Sequence, residues 1–257
     1  MRVAIVAITK KGGNLGLRIK KSLPASKLYV SIKFGNKEPE TLVFKGKLTD
    51  LTQKLFAEFE GIVFCMAAGI AVRVIAPYIK NKHVDPAVVV VDEEGRFAIS
   101  LLSGHEGGAN SLAIRVANSL SAEPVITTAS ESQKKLVIGI GCRRGIDKIE
   151  IIKGVRYALT MTGCPMKEVR CIATIDLKQD EPGLQEACME LGVPLRILSR
   201  ELIKKFNGKY EKSAFVKEKI GVEGVSEPCA LIVARRPKLI LAKTKIGRVT
   251  VAVAKEA

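Results

Sequence analysis

The sequence predicts an α/β protein of two domains with mixed or mostly parallel sheets and a cleft between them. Three observations predict it. Short, continuous apolar runs at 3–8, 61–66 and 88–91 alternate with amphipathic stretches of helical length, as buried strands do when crossover helices join them. A second series of the same kind opens at Leu136, after the polar stretch 130–135. The 257 residues, 47% of them hydrophobic, are enough for two cores of ordinary domain size. The expected boundary divides the chain into 1–132 and 133–257.

Along the first domain, 3–8 is a strand, and Gly12, Gly13 and Gly16 form a glycine loop ahead of an amphipathic helix ending near Leu23 and Pro24. Residues 28–32 form a strand, Thr49 and Asp50 cap a helix that runs to about Phe59, and 61–66 is a buried strand. Residues 70–79 continue as a helix, with Pro77 tolerated because it lies near the end. The β-branched run 88–91 and the strand 97–102 flank Asp92, Glu93, Glu94 and Gly95, a turn that makes them a hairpin. A loop at 103–108, a helix at 109–120 and a short strand at 124–127 complete the domain, and 130–135 is a linker.

The second domain begins with a strand at 136–140, then a helix from about 147 to 161, a strand at 169–175 and a helix at 182–191. A strand at 195–198, a helix near 201–206 and a helix at 226–234 follow, and 238–242 pairs with 248–254 as closing strands. In such a fold the cleft between domains is the default place for a substrate.

Composition narrows the function. The formal charge is +16, from 42 basic and 26 acidic residues, and it is uneven: residues 1–132 carry +5 and residues 133–257 carry +11. Such an excess suits nucleic acid, a polyanionic small substrate or a solvated lysine-rich surface. Nucleic acid is disfavoured, because there is no Trp, aromatics are only 5% and the basic residues are dispersed in pairs such as Arg143-Arg144. The longest apolar stretch, 61–72, is closed by Arg73 and falls far short of the roughly 20 residues that cross a bilayer. The N-terminal run 3–8 is too short for a signal peptide, so a cytoplasmic protein without a membrane partner is expected.

The six cysteines, Cys65, Cys142, Cys164, Cys171, Cys188 and Cys229, show neither C-x-x-C nor metal-ligand spacing with histidine. They are expected to be reduced and structural. Among them Cys142 is the best candidate for a catalytic thiolate, since it precedes Arg143 and Arg144.

The densest motif is Ser103-Gly104-His105-Glu106-Gly107-Gly108-Ala109-Asn110, between a strand end and a helix start. His105 and Glu106 can both transfer protons, and the glycines let a substrate approach the backbone. Ser103 and Glu106 also have the spacing of a capping box, so the residues alone leave both readings open. Lys82-His83-Val84-Asp85-Pro86 reads as a connection before a strand, with His83 a weak candidate on its own. The glycines after the first strand, and Gly139-Ile140-Gly141, are fragments of nucleotide-binding patterns and fit at most a small anion. Asp176, Lys178 and Glu181 follow a strand end and Glu227 begins a late helix, positions open to surface, capping or binding roles.

Longer ordered runs carry a resemblance. Gly69-Ile70-Ala71-Val72-Arg73, Lys82 with Asp85-Pro86-Ala87-Val88-Val89, the 99–110 segment and Ile126-Thr127-Thr128-Ala129 resemble the N-terminal part of the cobalamin biosynthesis protein G family. Gly139-Ile140-Gly141-Cys142-Arg143-Arg144-Gly145, Ala173-Thr174-Ile175-Asp176-Leu177-Lys178 and Gly224-Val225-Ser226-Glu227-Pro228 resemble its C-terminal domain. Members commonly carry a middle segment between the halves, whereas here Thr128 is followed within a few residues by Leu136. The resemblance implies a cobalt-precorrin-5A hydrolase, which opens a δ-lactone on a cobalt-tetrapyrrole and releases acetaldehyde, with a non-catalytic tetrapyrrole carrier as the alternative. It implies no cofactor or protein metal site, since the cobalt belongs to the substrate, and it implies other enzymes of the corrin pathway as further partners.

On this basis His105 and Glu106 are the expected catalytic residues. The expected substrate-binding set is Arg73, Lys82, Ser103, Gly104, Gly107, Gly108, Asn110, Thr127 and Thr128 in the first domain, with Gly141, Arg143, Lys178 and Glu227 in the second. Within it the Gly107 and Gly108 N–H groups would stabilise an oxyanion, and Arg73 would hold a carboxylate.

Overall fold

The computed structural model describes residues 1–34 and 41–257. The chain divides into two compact units, Met1–Thr128 and Ala129–Ala257. The first unit contains, in order, β1 (Val3–Ala7), α1 (Lys10–Ser22), β2 (Lys27–Ser31), β3 (Thr41–Phe44), α2 (Leu48–Glu58), β4 (Gly61–Cys65), α3 (Ala68–Ile75), β5 (Ala87–Val91), β6 (Phe97–Leu102), α4 (Ala109–Leu120) and β7 (Glu123–Val125). They form one sheet in the order β3-β2-β1-β4-β5-β6-β7. The first five strands are mutually parallel, β6 returns antiparallel to β5, and β7 runs parallel to β6.

Every residue of β1, β4 and β5 is buried, which is why these strands are uninterrupted apolar runs. Alternate side chains feed two cores. Val3, Ile5 and Ala7 of β1 pack with Leu15 and Ile19 of α1 and Leu112 and Val116 of α4. Ala4 and Val6 point the other way, into a core with Leu55 of α2 and Ala71 and Ile75 of α3. The unit is therefore a three-layer, doubly wound α/β fold.

The second unit comprises β8 (Leu136–Cys142), α5 (Lys148–Thr162), β9 (Val169–Ile175), α6 (Pro182–Leu191), β10 (Leu195–Leu198), α7 (Arg200–Lys204), α8 (Ala214–Ile220), α9 (Ser226–Val233), β11 (Pro237–Ile246) and β12 (Val249–Glu256). Its sheet order is β10-β9-β8-β12-β11, with β8, β9 and β10 parallel and β12 antiparallel to both of its neighbours. Ile138 and Ile140 face α5 and α6, while Val137 on the opposite face joins a core with Ile203 of α7 and Cys229 and Ala230 of α9. A mostly parallel sheet in one unit and a mixed one in the other is the predicted fold class.

Several local expectations are corrected. Gly12, Gly13 and Gly16 lie inside α1, which starts at Lys10 with Thr9 Oγ1 accepting from Gly12 N–H at 3.0 Å. These glycines serve close packing: a Cβ at Gly12 would stand 2.6 Å from the Cys65 carbonyl oxygen, and one at Gly16 would stand 2.6 Å from Leu28 Cδ1. Helix α2 begins a residue before Thr49, with Lys47 at the cap position and no side-chain capping bond. Part of the expected linker is a 3-10 helix, Ala129–Gln133. The edge strand β3 and the short helix α8 were not expected, since neither carries a buried residue that would mark its period.

Candidate active site

The reversal of β6 decides where the site lies. Val88 near the start of β5 pairs with Leu102 at the end of β6, so the loop 103–108 lies at the edge of the sheet where the parallel strands begin. Ligands in open α/β sheets usually gather at the carboxyl ends of the parallel strands; this loop is at the opposite edge, beside the segment 80–86 that leads into β5. Ser103 Oγ donates to the Asp85 carbonyl oxygen at 3.1 Å and ties the two together.

The 80–86 segment is itself tightly built. The buried Asp85 carboxylate accepts from Lys80 N–H through both oxygens at 3.0 Å, and Asn81 Oδ1 accepts from His83 N–H at 3.0 Å. These turns present Lys82 and His83 to Glu106. Lys82 Nζ lies 2.9 Å from Glu106 Oε1 and His83 Nδ1 lies 3.0 Å from Glu106 Oε2. The Lys82 hydrogen bond holds the Glu106 carboxyl below the usual range, aided by the positive fields of Lys82, His83 and His105. Both histidines of the chain thus act on one carboxylate, but the one in direct contact is His83, which sequence reasoning ranked as weak. The predicted hairpin carried the missing signal, because an antiparallel β5–β6 pair necessarily sets the residues before β5 beside those after β6.

The capping box is not formed. Helix α4 has Gly108 at its cap position, with φ +87°, and its first N–H groups are taken by loop carbonyls: Ala109 donates to Ser103 at 3.1 Å and Asn110 to Gly104 at 2.9 Å. Ser103 itself has φ +57°, and a Cβ at Gly107 would stand 2.4 Å from Ser103 Cβ, so the fold of this loop requires glycine there. Asn110 is buried, accepts from Ser100 Oγ at 2.8 Å and donates to Thr128 Oγ1 at 3.0 Å. It latches β6, α4 and the segment after β7 together.

Of the expected first-domain set, Lys82, Ser103, Gly104, His105, Glu106, Gly107, Gly108, Asn110 and Thr128 gather at this edge, with Thr127 exposed next to Thr128. The guanidinium of Arg73 is exposed on α3 and donates to the Gly69 carbonyl of the same helix at 3.3 Å.

In the second unit, two expected ligand residues are occupied by internal bonds. Glu181 is buried, accepts from Gly145 and Ile146 N–H at 2.9 and 3.2 Å, and pairs with the mostly buried Lys178 at 3.3 Å. The buried Glu227 accepts from Glu211 N–H and Lys243 N–H, both at 2.6 Å, and so ties β11 to the segment before α8. Gly141 and the exposed Arg143 line a cavity of about 470 Å³.

Cys142 is not a thiolate site. Burial pushes its thiol up to about 11, against a smaller downward pull from Lys178, and Arg144 is turned to Asp180 and the Leu177 carbonyl. Iodoacetamide at pH 8 is therefore expected to modify Cys142 in the folded protein much more slowly than a free thiol, as time-resolved peptide mass mapping would show. Rapid alkylation there would contradict a thiol pushed up by its partial burial. Among the described residues no group of three or more His, Cys, Asp or Glu is placed to hold a metal, and no helix is long and apolar enough to cross a membrane.

A doubly wound unit whose loops hold a carboxylate between a lysine and an imidazole has the equipment of proton-transfer chemistry on a small molecule. Comparison with known proteins gives the family. The family model described as Cobalamin synthesis G N-terminal matches residues 50–131, and Cobalamin synthesis G C-terminus matches residues 136–254. The chain belongs to the cobalamin synthesis G family. It is 28% identical to the cobalt-precorrin-5A hydrolase of Priestia megaterium, over 98% of this chain and 94% of that one. It is 25% identical to the enzyme of the same name from Salmonella typhimurium, over 91% and 92%. The first alignment runs over 352 positions against 257 residues in this chain, so the relative has insertions that this chain lacks. The crystal structure of CobE, a protein from the cobalamin (vitamin B12) biosynthetic pathway, is 29% identical over 48% of this chain and 91% of that one, with a TM-score of 0.45.

Proposed function

We propose that the chain is a cobalt-precorrin-5A hydrolase that opens the δ-lactone of its substrate and releases acetaldehyde. The observation that carries the reading is the Lys82–Glu106–His83 constellation, set in a chain alike over nearly its whole length to relatives named for that activity. In this reading His83, whose Nδ1 lies 3.0 Å from Glu106 Oε2, turns its Nδ1–H to that carboxylate in the substrate complex, which leaves Nε2 as the base that takes a proton from water. The water oxygen adds to the lactone carbonyl, and the Gly107 and Gly108 N–H groups face the oxyanion. Collapse breaks the ring ester bond and gives a carboxylate and an alcohol. Deprotonation of that alcohol breaks the adjoining carbon–carbon bond, so acetaldehyde leaves and the electron pair stays on the macrocycle, which takes up a proton.

Glu106 serves as the anion that orients and stabilises the imidazolium, a role suited to a carboxyl held below its usual range. Lys82 keeps it ionised. His105, exposed beside Glu106, and Arg73 and Thr127 meet the carboxylate arms and polar rim of the substrate, while Ser103, Gly104, Asn110 and Thr128 shape the loop. No resident cofactor is invoked, and the cobalt enters with the substrate. The test is anaerobic incubation with cobalt-precorrin-5A, trapping acetaldehyde and weighing the macrocycle by mass spectrometry. Acetaldehyde formed only with protein, with a matching change in mass, is the expected result; tight binding with no release above the protein-free control would leave a carrier and overturn the reading.

A further inference from the structure

The cavity of the second unit lies at the carboxyl edge of β8, walled by α8 on one side and the β11–β12 hairpin on another. Its charged lining is Arg143, Lys219, Lys243, Lys245 and Arg248, with no carboxylate among the lining residues. Two of these cations are fixed by partners outside the lining: Lys243 pairs with Glu211 and Arg248 with Glu150. Arg143, Lys219 and Lys245 have no ion-pair partner among the described residues. The remaining wall includes the apolar residues Val216, Ile220, Val225 and Phe215, the last of them 68% exposed.

An exposed aromatic ring beside unpaired cations is a poor arrangement for a free surface and a good one for a ligand. The ring offers a face for stacking to a flat conjugated body, and the cations offer charge-assisted bonds to acidic arms. At about 470 Å³ the cavity falls within the ~300–1,000 Å³ of small-molecule sites. Glu227 braces it, because its carboxylate accepts from the backbone N–H of Lys243 in the wall and from that of Glu211, the partner of Lys243 outside the lining.

We infer that this cavity of the second unit is a binding site for the carboxylate arms and one ring edge of a tetrapyrrole. The inference rests on the proposed reading only for the identity of the macrocycle; the cationic and aromatic lining stands by itself. The probe is uroporphyrin, an octacarboxylate porphyrin, titrated into the full chain and followed by its absorption band and fluorescence. Saturable binding is expected, and Arg143→Glu with Lys245→Glu should weaken it about tenfold or more, as losing charge-assisted bonds does. Phe215→Ala should weaken it less and remove the band shift of the stacked ring, and Lys167→Glu, an exposed change outside the cavity, should leave binding unchanged. Should charge reversal impair folding, as judged by circular dichroism, the Arg143→Gln, Lys245→Gln pair gives the same readout in a milder form.

A cationic porphyrin that binds as well as uroporphyrin, or uroporphyrin binding indifferent to Arg143, Lys245 and Phe215, would overturn the inference. In that case acetaldehyde release from the wild-type chain would still stand for the hydrolase. Conversely, uroporphyrin binding that needs these residues, in a chain that releases no acetaldehyde, would keep the site and reject the reaction.

Discussion

Replacing His83 with Ala should lower turnover of cobalt-precorrin-5A about a hundredfold or more, the loss typical of a removed general base. Glu106→Gln should cost a similar factor, because an amide neither stabilises an imidazolium nor fixes the Nδ1 proton as a carboxylate does. The two residues touch at 3.0 Å and act as one unit, so the double variant should be scarcely worse than either single one. His105→Ala should be milder, since His105 reaches Glu106 only through its field. The pH profile adds a sign. The Glu106 carboxyl is held below its usual range, so it stays ionised as the pH falls through that range, and its protonation should not cause a loss of kcat/KM there. Full activity in His83→Ala together with loss in Glu106→Gln would make Glu106 the base and discard the pair; additive losses in the double variant would show two independent roles.

That His83, from the segment before β5, is the imidazole in contact with Glu106 shows what a sequence can and cannot carry here. Elements whose ends are marked chemically were legible: α6 runs from Pro182 to Leu191 before Gly192 at φ +65°, and α4 spans the predicted 109–120. The buried strand β9 matched its apolar run because both faces feed a core. Glycine is ambiguous, since a glycine needed for a turn and one needed for close packing are the same letter; Gly12 and Gly16 read as a loop in the sequence and belong to a helix in the fold. Polar residues at strand ends were ambiguous in another way. Asn110, Lys178 and Glu227 looked available for a ligand, yet each is taken up by internal partners that only the tertiary fold supplies. The loop 103–108 could be found from its density of reactive and small residues. Its partner segment could be found only by following the hairpin register to its far end.

Gly139→Ala should be the most damaging single methyl added to the second unit. A Cβ there would stand 1.7 Å from the Ser226 carbonyl oxygen, 2.7 Å from its carbon and 3.0 Å from Ala230 N. All three are backbone atoms of α9, so no rotamer change can relieve the clash and the helix must move off β8. Overpacking usually costs about 1–3 kcal/mol, and this contact should reach or exceed the top of that range. The movement also reaches Glu227, one residue into the same helix, whose carboxylate satisfies Glu211 and Lys243 N–H groups at 2.6 Å. Each N–H left buried and unpaired adds about 1–3 kcal/mol. Gly141→Ala, two positions along the same strand, provides the contrast: its closest obstacle, at 2.6 Å, is the Thr250 hydroxyl, a side-chain atom that can rotate away at the loss of its bond to the Gly141 carbonyl. Denaturant unfolding followed by circular dichroism should therefore show a large drop in midpoint for Gly139→Ala and a small one for Gly141→Ala. Equal midpoints for the two would mean that α9 does not lie against Gly139 as described. Because α9 carries Glu227, and Glu227 fixes Lys243 in the cavity wall, the Gly139 variant should also lose uroporphyrin affinity under conditions where it is still folded.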